Sequence, residues 1–112
     1  MYELAPNASA LNTTFCGELL ATPRDLVKRF GPPRPPSGDR KISGSYVFSD
    51  ESGNVAVLYD WKSTSLYDGR PESSLPSVES FWASDEQELF CLAVRGKVNV
   101  PAFAKWLGAR VK

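Results

Sequence analysis

Two cations and a glycine stand where an apolar run gives way to a helical pattern, in Arg95-Gly96-Lys97-Val98-Asn99. A helix N-terminus offers free N–H groups and partial positive charge, so a turn of this kind can take a phosphate or another anion. The same residues also suit a plain strand-to-helix turn with solvated charges. A second dense segment is Asp60-Trp61-Lys62-Ser63-Thr64-Ser65-Leu66-Tyr67. Here Trp61 and Tyr67 can stack on a ring, Lys62 can pair with a phosphate, and the hydroxyls can donate. Trp82, beyond the loop that follows, can close over such a ligand. Trp61 also continues the apolar face of a strand, so the competing reading makes it a core anchor. Together the two segments define an expected ligand site of Trp61, Lys62, Tyr67, Trp82, Arg95, Lys97 and Asn99.

Other chemistries find no support in the residue types. The chain has no histidine, which excludes His-dependent triads and His-ligated metals. Its two cysteines, Cys16 and Cys91, are too few and too far apart for a zinc or CxxC redox site. They form one candidate pair, but both lie in apolar or β-like stretches and read as small buried hydrophobes in a reducing compartment. Neither GxxxxGK[ST] nor GxGxxG occurs. Lys62 and Ser63 are adjacent on an extended segment and would point to opposite faces, which argues against a Ser–Lys nucleophile. The carboxylates at Asp50/Glu51 and Asp85/Glu86/Glu88 lack the ligand spacing of a calcium loop. Arg29 to Pro35 matches R-x-x-P-x-x-P, yet it begins inside a helix, so a stiff linker is the better reading. The expectation is a non-enzymatic binding protein with no catalytic residues, metal or cofactor.

These groups must be positioned by one domain, since 112 residues suffice for one core and not two. Hydrophobic residues make up 42% and charged residues 23%, so global disorder is not expected. Zero net charge hides an uneven spread. Residues 1–45 carry six basic and four acidic groups, residues 46–94 two and nine, and residues 95–112 five and none. A general nucleic-acid binder would usually show a global basic excess, which this chain lacks, and no sequence-specific nucleic acid is expected as a partner. No apolar run approaches the ~18 residues of a membrane span, and a cytoplasmic protein is expected.

Along the chain, residues 1–10 are a weakly patterned lead-in and Leu11–Ala21 reads as a strand, with Gly17 suited to a bulge. Thr22 as N-cap, Pro23 at the first helical position and Asp25 at the third predict a helix to Phe30, closed by a left-handed Gly31. Residues 32–40 form a proline-rich connector. Lys41–Ser49 and Asn54–Trp61 alternate as a hairpin around Asp50–Asn54. Residues 62–80 read as a long loop, with a short helical turn at Ser77–Ala83. Glu88–Val94 is apolar on both faces and should be a central strand. Asn99–Leu107 is the second helix, ended by Gly108. The order β-α-β-β-β-α predicts an α+β domain: a mainly antiparallel four-stranded sheet with two short helices on one face.

Asp25-Leu26-Val27 with Phe30-Gly31-Pro32, then a hairpin ending in Val57-Leu58-Tyr59-Asp60-Trp61-Lys62, a strand and a final short helix, resembles a group of small accessory proteins of tailed bacteriophages. The resemblance spans Leu11 to Leu107, and its sharpest piece is Tyr59-Asp60-Trp61-Lys62. That group often ends its last strand in a His/Gly-rich turn, where this chain has Val94-Arg95-Gly96-Lys97. The resemblance implies a protein that counters host immunity, by sequestering a nucleotide-like signal or by covering a host defence protein. On the first reading a homo-oligomer could bury the ligand. On the second, the acidic stretch of residues 60–88 would do the covering.

Overall fold

Alternating apolar residues build an antiparallel sheet, seen in a computed structural model that describes residues 1–69 and 73–112. Among the described residues six strands stand in the order β1-β3-β4-β5-β2-β6, and every neighbouring pair is antiparallel. They are β1 (Glu3–Leu4), β2 (Thr14–Ala21), β3 (Ser45–Ser49), β4 (Val55–Tyr59), β5 (Glu88–Arg95) and β6 (Arg110–Val111). The helices are α1 (Pro23–Phe30), α2 (Ser65–Asp68), α3 (Val78–Trp82) and α4 (Val100–Leu107). The domain is α+β as expected, but the sheet has six strands rather than four. Both additions are two-residue edge strands, too short to show any alternation in sequence.

Several strand boundaries also differ from expectation, and local hydrogen bonding and backbone explain two of them. Asn12 (φ 61°) leaves the extended region, so β2 starts at Thr14; the Ser43 and Gly44 N–H groups donate to the Asp60 carboxylate rather than to a ladder, so β3 starts at Ser45. β4 ends at Tyr59. The expected loop of residues 62–80 carries α2 and the start of α3, and its residues 70–72 lie outside the described residues. Thr22 is extended as an N-cap should be, but its side chain makes no capping hydrogen bond. Gly31 has φ 83° and ψ −171°, so the first helix ends through a positive φ outside the left-handed helical well.

Helices cover one face of the sheet. Leu19, Phe48, Leu58, Phe90 and Leu92 from the strands meet Leu26, Phe81, Trp82, Phe103 and Leu107 from the helices. Phe48 is fully buried, its ring centroid 5.0 Å from that of Phe30 and 5.6 Å from that of Phe103. The Tyr46 phenol, pushed up to about 12 by burial, donates to the Gly31 carbonyl at 2.7 Å. Arg29 ties α1 to α4: its guanidinium lies 4.7 Å from the Trp106 ring and donates to the Trp106 carbonyl at 3.0 Å.

Gly44 is the tightest point of this layer. A Cβ there would stand 2.8 Å from Trp82 Cζ2 and 2.9 Å from Pro33 Cβ. Gly44→Ala is therefore expected to lower the unfolding free energy by about 2 kcal/mol, as overpacking does. Urea denaturation measures this, and an unchanged midpoint would contradict the packing described. Among the described residues no helix is long and apolar enough to cross a membrane.

Candidate functional site

Among the described residues, the apolar cluster on the opposite face of the sheet, built on Val47, Val55, Val57 and Ala93, takes no side chain from a helix. Cross-strand register places Val47, Val57, Ala93 and Phe15 in one row and Ser45, Tyr59, Cys91 and Glu18 in the next. Phe15 joins this face because β2 bulges at Cys16, between Phe15 and Gly17. Cys16 is exposed and Cys91 half-buried, and both are free, so the expectation of two buried cysteines fails at the bulge.

Part of this face is covered by the chain's own N-terminal segment. Arg34 Nη2 donates to the carbonyls of Ala5 (2.8 Å), Pro6 (3.1 Å) and Ala8 (2.8 Å). Arg95 Nη1 donates to those of Leu11 (2.5 Å) and Ser9 (3.3 Å). The two guanidinium groups clamp a strap across the sheet, and Ala8 packs on Val47, Val55, Val57 and Ala93.

Beyond the strap the face is open. Phe15 on β2 is 58% exposed and Trp61, just past the end of β4, 45%. Phe15, Glu18, Tyr59, Trp61 and Cys91 line a cleft of about 380 Å³. Trp61 stands edge-on to Tyr59, with ring centroids 6.4 Å apart. Two ammonium groups attend it: Lys41 Nζ at 5.7 Å and Lys62 Nζ at 5.6 Å from the indole. Lys62 Nζ also lies 5.1 Å from the ring of Tyr67, itself 42% exposed. Lys62 adopts φ 56°, a left-handed conformation unusual for lysine, and its N–H donates to the Lys41 carbonyl at 2.7 Å. The Cys91 thiol is pushed up by burial, and by the Glu18 and Asp60 carboxylates. It therefore stays protonated near neutral pH and is a poor nucleophile. Burial likewise raises the Tyr59 phenol.

Between Tyr59 and Trp61, Asp60 turns into the interior. It is fully buried, and no salt bridge among the described residues involves it. Oδ1 accepts from the Ser43 and Gly44 N–H groups at 2.9 and 3.0 Å, and Oδ2 from Ser43 Oγ at 2.8 Å. Trp82 Nε1 in turn donates to Ser43 Oγ at 3.0 Å. Burial raises the Asp60 carboxyl above the ordinary range, outweighing the hydrogen bonds from Ser43 and Gly44 that lower it. This network pins the segment before β3 to the residues that present Trp61.

The residues expected to form one site separate into two groups. Trp61, Lys62 and Tyr67 come together. Arg95 lies opposite Val55, at the far end of β4, and spends its guanidinium on the strap. The Lys97 N–H donates to Asn54 Oδ1 at that same end, and Asn99 Oδ1 caps α4 through the Ala102 N–H. Trp82 is 8% exposed and belongs to the core. Asp60, first of the acidic stretch 60–88, is inside the protein, so that stretch offers less acidic surface than its composition implies. Phe15, Glu18, Lys41 and Cys91 join the open site without having been singled out. Their only sequence signal was period-two alternation, which the bulge at Cys16 interrupts. No protein-family model matches this chain. No curated protein is significantly similar to it.

Among the described residues no three His, Cys, Asp or Glu side chains gather as a metal site would require. Asp50 serves its own turn, accepting from the Ser52 and Asn54 N–H groups at 2.9 Å each. Glu51 pairs with the N-terminal ammonium. What the open face offers is aromatic surface with two lysine ammonium groups beside it.

Proposed function

We propose that this is a binding protein of the phage accessory type that sequesters a ring-bearing anion, in the first instance a nucleotide, and so withholds it from a host defence pathway. One observation carries the reading: an exposed indole, Trp61, forms the wall of a cleft while two lysine ammonium groups stand beside its ring. A base stacks on the indole or on Phe15, and Lys41 and Lys62 swing from the ring to the phosphate. The protein acts by holding its ligand rather than transforming it. The Tyr59-Asp60-Trp61-Lys62 motif, which carries the resemblance to phage accessory proteins, lies at this site, and that resemblance supplies the defence context. The binding set is Trp61, Lys62 and Tyr67 with Phe15, Tyr59 and Lys41. Titration with mononucleotides and cyclic nucleotides, followed by tryptophan fluorescence and thermal shift, tests it. The expected result is quenching with a rise in melting temperature. If no nucleotide produces either at millimolar concentration, the proposal is wrong.

A further inference from the structure

Four of the five residues lining the open cleft are three rings and a thiol; the fifth is Glu18. Cross-strand register sets Glu18 in the row of Tyr59 and Cys91, where it lines the cleft with them. Its ion pair is loose, with Lys112 Nζ 4.0 Å from Oε1, and both side chains are more than a third exposed. Such a pair holds Glu18 weakly and leaves it free to meet a ligand.

An ionised carboxylate only accepts hydrogen bonds. It rewards a ring edge that donates and repels one that presents carbonyl oxygens or bare ring nitrogens. Among the common bases, guanine sets two donors side by side, the ring N–H and the amino group, matching the two carboxylate oxygens. Adenine and cytosine each place one amino group beside an acceptor nitrogen. Uracil has a single N–H flanked by two carbonyls.

Resting on the proposed ring-binding function, we infer that Glu18 selects the ligand by its donor edge and that the cleft accepts a guanine nucleotide. The contact is bidentate, of a kind that discriminates between bases by about 10- to 100-fold. The wild-type protein should bind guanosine monophosphate most tightly. Inosine monophosphate, which lacks the amino group, should bind more weakly, and uridine monophosphate weakest of all.

Glu18→Gln replaces one acceptor oxygen with a donating amide. Guanosine monophosphate should then weaken by about tenfold or more, while uridine monophosphate gains, since an amide complements its carbonyl and N–H. The main-chain carbonyl of Glu18 still accepts from the Lys112 N–H, so the fold is retained, which a thermal scan checks. Equal affinities for the mononucleotides in the wild type, or an order that Glu18→Gln leaves unchanged, would overturn the inference. If binding in those cases still depends on Trp61, the ring-binding function stands without it. If no mononucleotide binds at all, both fall.

Discussion

Replacing Asp60 with alanine is expected to remove about 3 kcal/mol of unfolding free energy. That is a large part of the roughly 5–15 kcal/mol that stabilises a domain of this kind. The substitution deletes a buried acceptor on which two main-chain N–H groups and the Ser43 hydroxyl converge. Each donor left without a partner costs about 1–3 kcal/mol, partly offset because a buried charge disappears with it. Urea denaturation measures the loss, and a change below about 0.5 kcal/mol would contradict the network. The pH dependence supplies a second reading. With its carboxyl raised in the folded state, Asp60 makes a contribution that is fully present below the unfolded value of about 3.9. That contribution is lost as pH rises through the folded value. Asp60→Asn cannot titrate, so its stability relative to the wild type should rise with pH through this acidic window. A flat difference would show that Asp60 does not titrate as burial requires.

Trp61→Ala is expected to weaken nucleotide binding by about 10- to 100-fold, the worth of one stacked base. Because the indole is 45% exposed, stability should change by less than about 1 kcal/mol. Affinity lost with the fold intact separates a binding residue from a core anchor; a large loss of stability would make Trp61 structural. Lys62→Gly is the sharper companion. Glycine accepts φ 56° without the penalty of about 1–2 kcal/mol that a Cβ suffers there. Melting temperature should therefore hold or rise while nucleotide affinity falls. Strain kept at a site and relieved only at the expense of binding is a mark of function.

How much of this was legible in the sequence follows from the range of each signal. The hairpin of β3 and β4, the central β5 and the helices after Thr22 and Asn99 rest on local alternation and capping residues. They stand close to where the sequence put them. The edge strands Glu3–Leu4 and Arg110–Val111 exist only because β3 and β2 offer them partners, and two residues carry no period. Arg95 was misplaced for a related reason. Its charge and its position before a helix suited an anion, but the nearest acceptors in space are carbonyls 84 and 86 residues away. Lys62 and Trp61 kept their neighbourhood because Tyr67 is close in sequence. Trp82 lost its expected exposure to a hydroxyl 39 residues away. Sites assembled within one loop could be read; those that needed the strand order could not.

The position of β2 shapes how the chain acquires its structure. Among the described residues β2 pairs with β5 and β6 alone, and both lie far downstream of it in the chain. During synthesis Thr14–Ala21 must therefore wait, its ladder partners not yet translated, while the β3–β4 hairpin can already form. Leu11–Gly17 has no charged residue to discourage contacts with other nascent chains. Newly made molecules thus pass through an interval when this segment is open to association, closing only once Glu88–Arg95 has left the ribosome.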